Sequence, residues 1–117
     1  MRMIAVVGSR TFTSYKLLRD TLVPIIGNDE VTLISGGARG ADQLAQRFAN
    51  EYGLAITIYY PDWVKYKRSA GMLRNEKIVN VATEMVAFRV SNSKGTTHCI
   101  GLAERKGIPV TVVDLGE

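Results

Sequence analysis

Three short stretches of this chain carry the residue types that hold phosphate: Gly36-Gly37-Ala38-Arg39-Gly40-Ala41-Asp42, Gly8-Ser9-Arg10-Thr11 and Ser91-Asn92-Ser93-Lys94-Gly95-Thr96-Thr97. A glycine turn between a strand and a helix aims bare N–H groups and a helix N-terminus at one point, where an anion is favoured. A guanidinium beside that point, from Arg39 or Arg10, adds a bidentate clamp. The candidate backbone donors are Gly8, Gly36, Gly37, Gly40, Gly95 and Thr96. Ser9 and Ser93 are candidate hydroxyl partners for phosphate or ribose. Each residue also has a plainer reading. The glycines can simply make tight turns. The arginines can be surface residues. Asp42 can be a favourable charge in the first helical turn, where such a charge contributes about 0.3–1 kcal/mol. No Gly-Lys-Ser/Thr triplet occurs, and Lys94 precedes Gly95 instead of following it. This argues against Mg-ATP hydrolysis.

A second concentration of chemistry lies in 63–77, where Lys65, Lys67, Arg68, Arg74 and Lys77 face a single acid, Glu76. Trp63, Tyr66, Tyr59 and Tyr60 lie within it or beside it. Aromatic rings among cations can stack on bases while the cations hold phosphates. The alternative is a solvated loop and helix face with Trp63 plugging the core. Arg74-Asn75 is placed to reach a cleft, and Trp63 or Tyr60 to flank a base. His98 and Cys99 are the only histidine and cysteine. A zinc centre needs about four ligands, so no metal is expected. Neighbours on a helix point apart, so the two do not form a nucleophilic pair. Cys99 is expected near the floor of the cleft and His98 in solvent. If the cleft does chemistry, the weak catalytic candidates are Arg74 and Asp42, the latter the one acid near the turns.

These residues need a frame. Apolar, mostly continuous runs at roughly 2–7, 31–35, 54–60, 84–89 and 109–113 read as strands covered on both faces. Helical spacing fills the gaps. Thr13 or Ser14 caps a first helix carrying Leu18, Leu22 and Ile25. A second carries Ala41, Leu44, Ala45, Phe48, Ala49 and Tyr52 and ends at Gly53. A third covers 70–81, and a fourth starts near Thr96 and ends at Gly107. Residues 61–69 form the one long connection. Alternating β and α elements on this scale imply right-handed crossovers and a parallel sheet. The expected fold is a single α/β domain over 1–117: a three-layer Rossmann-like sandwich of five parallel strands in the order 3-2-1-4-5. In such a sheet, ligands bind beyond the carboxyl ends of the strands where the order reverses. That brings the three turns to one cleft.

The 117 residues, 46% of them hydrophobic, suffice for a core without disulfides, and one cysteine cannot make an internal bridge. No apolar run approaches the ~18 residues of a membrane span. The first strand begins almost at once, so no signal peptide is expected and the protein is expected in the cytoplasm. The net charge of +4 suits anionic ligands without demanding nucleic acid.

Taken together, Val7-Gly8-Ser9-Arg10, Ser35 to Asp42, Pro61-Asp62-Trp63, Ala70 to Asn75 and Ser93-Lys94-Gly95-Thr96 resemble the SLOG superfamily, in particular its small YspA-like, cpYpsA-related members. The resemblance spans nearly the whole chain in order. It implies a Rossmann-like fold and a pocket for a nucleotide or nucleotide derivative, ADP-ribose-like ligands among them, in a sensor or nucleotide-processing module that requires no cofactor. It also implies pairing into a homodimer or higher oligomer. Two wider relatives imply other activities. The LOG-type phosphoribohydrolases cleave a nucleoside monophosphate; Arg74 and Gly95-Thr96 match their signature, but Cys99 stands at the glutamate position and Asn92-Ser93 replaces paired glycines. Cleavage needs a carboxylate there, which cysteine does not supply. The DprA/Smf proteins, which bind single-stranded DNA, resemble the chain at Ser35–Asp42 and Arg74-Asn75, and the basic segment 63–77 suits that role.

Overall fold

The apolar run that opens the chain forms β1 (Arg2–Gly8), the middle strand of the sheet. Around it the chain builds α1 (Tyr15–Ile26), β2 (Val31–Ser35), α2 (Ala41–Tyr52), β3 (Ala55–Ile58), α3 (Trp63–Tyr66), a 3₁₀ turn (Lys67–Ser69), α4 (Ala70–Val81), β4 (Glu84–Arg89), α5 (Lys94–Lys106) and β5 (Val110–Asp114). This computed structural model describes residues 1–116. All four strand pairings are parallel and the order is β3-β2-β1-β4-β5, as the alternation predicts.

Successive strand residues point to opposite faces, and the core divides accordingly. Ile4 and Val6 join Leu33, Val86 and Phe88 under α1 and α2, where Leu18, Leu22 and Phe48 fill the layer. Ala5 and Val7 join Ile34, Met85 and Ala87 under α4 and α5, against Ile78, Val79, Ile100 and Ala103. Two helices on each face make the expected three-layer sandwich.

Local signals set most boundaries. The Ser14 hydroxyl accepts from the Leu17 N–H and caps α1. Leu18, Leu22 and Ile26 form its buried stripe, not Ile25. A strict four-residue step keeps side chains on one face, and Ile25 packs only at its margin. Gly53 ends α2 in the left-handed conformation, its N–H bonded to the Ala49 carbonyl.

Four expectations differ from the structure. The edge strands β3 and β5 are covered on both faces only in part, since the helices reach them at their margins; Ile56 and Val113 pack against the core while Thr57 and Thr111 are exposed. β3 stops at Ile58, and Tyr59 gives one more N–H to the Ser35 carbonyl before the chain leaves the sheet. The connection 61–69 is not a plain loop. Asp62 accepts from the Lys65 N–H and starts α3. Finally α5 begins at Lys94, two residues early, so Lys94, Gly95 and Thr96 form its first turn.

Candidate functional site

The turns after β1, β2 and β4 meet because Ser9 joins them. Its N–H donates to the Phe88 carbonyl at 2.9 Å. Its hydroxyl oxygen accepts from the Val90 N–H, also at 2.9 Å. Its carbonyl accepts from Phe12, and at 3.4 Å from Ala41, the first residue of α2. Phe12 stacks on Phe88 with ring centroids 4.8 Å apart and holds the outer end of the turn down on β4. Ser9 is thus buried as a strap between loops. Gly40, at φ +74, lies against the Ser9 and Arg10 carbonyls, an approach that excludes any side chain.

The turn after β2 is braced from within. Asp42 Oδ2 accepts from the Ala38 N–H at 2.9 Å. The Ser35 hydroxyl lies 2.9 Å from Asp42 Oδ1 and 2.8 Å from the Val6 carbonyl, tying the turn to β1. Burial pushes the Asp42 carboxyl above its ordinary pKa, against the pull of the Ala38 N–H, Ser35 and Arg74. From α4, Arg74 donates Nη1 to the Gly36 carbonyl and Nε to Asn75 Oδ1 at 2.9 Å. Its guanidinium and the Asp42 carboxylate both lie over Gly36, where a methyl group would meet them.

The opposite wall is the start of α5. Ser93 precedes the helix without capping it, its hydroxyl engaged with Thr96 at 3.1 Å. Gly95 sits in this first turn, and a Cβ there would meet nothing within 4 Å. Glycine costs a helix about 0.5–1 kcal/mol relative to alanine, and no packing contact requires it here. Bare backbone therefore opens onto the cleft. His98, one turn along, presents Nδ1 buried without a partner.

These walls enclose a cleft of about 640 Å³, a size that holds small ligands. Of the residues expected from sequence, Gly8, Ser9, Arg10, Gly36, Asp42, Trp63, Arg74, Asn75, Ser93, Gly95 and Thr96 line it. Gly37, Arg39 and Gly40 do not. Arg39 is exposed, because the turn folds back so that α2 can start against Ser9. Gly37, at φ +73, lies under the Tyr60 ring. Trp63 is half exposed, with its indole edge near Gly71 at the cleft mouth. It does not plug the core.

Sequence reasoning passed over Lys94, His98 and Arg68 as lining residues. His98 lies one turn beyond both Lys94 (i, i+4) and Gly95 (i, i+3), a signal readable once the helix is started at Lys94. His98 is thus not the solvated residue expected.

The cleft is electropositive. Ion pairs among the described residues use Arg2, Lys16, Arg19, Arg47 and Arg89, all outside it, while its Arg10, Arg68 and Lys94 form no ion pair and its Arg74 stands near the Asp42 carboxylate without a direct ion pair. Asp42 is its one acid, with both oxygens engaged in the turn. Burial pushes the Cys99 thiol up to about 12, so it is no nucleophile at neutral pH. Among the described residues no three His, Cys, Asp or Glu side chains lie together as a metal site. The charge of the cleft suits an anion, and His98, with Nδ1 unpartnered, is the one imidazole in its wall.

Comparison with known proteins agrees with this architecture. Residues 2–66 match the family described as YAcAr: YspA, cpYpsA-related SLOG family. The chain is also 33% identical over 118 residues to the Gene 61 protein of Mycobacterium phage D29, with 94% of each covered. No solved structure matches. A family match over more than half the chain and a relative aligned along nearly all of it lead to one assignment: the chain belongs to the YspA, cpYpsA-related SLOG family.

Proposed function

We propose that the cleft binds a nucleotide or nucleotide derivative, as a sensor or nucleotide-processing module. The observation that carries the reading is the first turn of α5. Its N–H groups are uncapped, Gly95 leaves them uncovered, and the Lys94 and Arg10 cations beside them lack carboxylate partners. Helix N-termini attract anions through unpaired donors and the macrodipole together. Phosphate belongs there, with the Thr96 and Ser93 hydroxyls in reach. Arg74 is already committed to the Gly36 carbonyl and serves to hold the glycine turn. The base lies toward Trp63, at the open end of the cleft. Membership of the SLOG family is consistent with this reading.

Calorimetry with AMP and ADP-ribose tests it. The wild-type chain should bind at least one of them. Gly95→Ala places a methyl group where phosphate would approach, and Arg10→Ala removes a cation. Each should weaken binding by about tenfold or more, the equivalent of one charge-assisted hydrogen bond. Binding that is unchanged in both variants would put the ligand elsewhere.

A further inference from the structure

The basic, aromatic segment that the cleft absorbs only in part keeps three rings exposed beside it. Tyr60 lies over Gly37 and is 69% exposed, Trp63 lies near Gly71 and is 50% exposed, and Tyr66 follows at 36%. Single exposed rings are ordinary, but three within seven residues among cations are a concentration that marks an interaction surface. Cations alternate with them. Lys65 Nζ sits 5.2 Å above the Tyr66 ring, and Lys67 and Arg68 follow in the 3₁₀ turn. None of these three cations pairs with a carboxylate among the described residues. The nearest acid, Asp62, is occupied capping α3. The backbone is strained here too: Lys67 adopts φ 53, ψ −124, a conformation natural to glycine. Strained residues concentrate at functional sites.

We infer that α3, the 3₁₀ turn and the start of α4 form a platform for a single-stranded nucleic acid running out of the cleft. The inference rests on the cleft as an anion site, because Trp63 and Arg68 line the cleft and also belong to the platform. Exposed rings offer stacking faces for successive bases, and the intervening cations follow the phosphates. A duplex hides its base faces and would leave the rings unused. An acidic peptide would answer the charge but not the rings.

Trp63 is the only tryptophan and lines both cleft and platform, so its fluorescence reports a ligand at either, and the difference between oligonucleotide and mononucleotide isolates the platform. The full chain is titrated with a 5′-phosphorylated oligo(dT) of about twelve nucleotides and, separately, with thymidine 5′-monophosphate. The oligonucleotide should quench Trp63 and bind at least about tenfold more tightly than the mononucleotide, as one or more stacked bases would give. Its affinity should fall with salt, the logarithmic slope being about −0.7 per phosphate neutralised. Lys67→Gly relieves the strained backbone while removing a charge. It should melt no lower than wild type and yet lose about one phosphate's share of the salt slope. An oligonucleotide that binds no better than the mononucleotide, or leaves Trp63 fluorescence unchanged, overturns the platform. The two readings fail separately. AMP or ADP-ribose binding without an oligonucleotide advantage keeps the cleft and removes the platform. Oligonucleotide quenching that Gly95→Ala does not touch keeps the platform and removes the phosphate position.

Discussion

Gly8 ends β1 at the base of the cleft, and Gly8→Ala puts the assembly of the three turns to a direct test. A Cβ at this position would stand 2.5 Å from the Phe88 carbonyl oxygen, 2.6 Å from the Ala41 Cβ and 3.1 Å from the Phe88 Cβ. Carbon atoms pack best at about 3.5–4.0 Å, so β1 must separate from β4 and from the start of α2 by about an ångström. None of these neighbours can swing aside: one is backbone and the others are the first carbons of their side chains. Over-packing in a core costs about 1–3 kcal/mol, and rigid neighbours place this case at the upper end. With an unfolding entropy of about 2.1 cal/mol/K per residue, a chain of this length should lose about 4–12 °C in Tm. Thermal melts followed by circular dichroism measure this directly. Because the Ser9 strap moves with Gly8, nucleotide affinity should fall along with stability. A variant melting within about 2 °C of wild type would refute the claim that Gly8 is where the strands and α2 close on one another.

Two further changes probe the frame and the brace. Lys106 Nζ donates to the carbonyls of Val79 and Asn80 at 2.8 Å and of Ala82 at 3.0 Å, closing the C-terminus of α4. Lys106→Met keeps the stem and removes the charge, and should cost about 1–2 kcal/mol in urea unfolding with an unchanged m-value; no loss would mean that water replaces the ammonium freely. Asp42 has a raised folded pKa because of its burial. Below the unfolded value of about 3.9 both states hold the proton, and as pH rises the unfolded chain ionises first, so Asp42 withdraws stability up to its folded pKa. Asp42→Asn cannot ionise, so its stability relative to wild type should improve from pH 4 to pH 7 in parallel urea melts; a decline over that range would show that the Ala38 N–H and Arg74 outweigh burial.

The fold was legible because both periodicities are strong. Runs such as Ile4-Ala5-Val6-Val7 and Glu84–Arg89 cannot be half-exposed strands, and strands alternating with amphipathic helices leave few parallel arrangements. The two ends of each layer were less legible. Ile26 replaces Ile25, and the edge strands are partly bare, because coverage depends on where helices sit across the sheet and not on a strand's own composition.

The chain alone determined that three glycine- and serine-rich turns would gather where the strand order reverses, since topology places the carboxyl ends of β1, β2 and β4 side by side. Only the tertiary structure decided what each side chain does there. Arg39 and Arg10 look alike as arginines beside glycine turns, yet one lies in solvent and the other lines the cleft. Arg74 holds a backbone carbonyl, Ser9 straps two loops together, and Asp42 braces its own turn. His98 lines the cleft and keeps one buried nitrogen without a partner, in a helix that starts at Lys94. The physical reason is one of range: backbone direction follows from local pattern, whereas a side chain's partners come from segments distant in sequence, and only their packing says which polar groups are spent on the fold and which are left for a ligand.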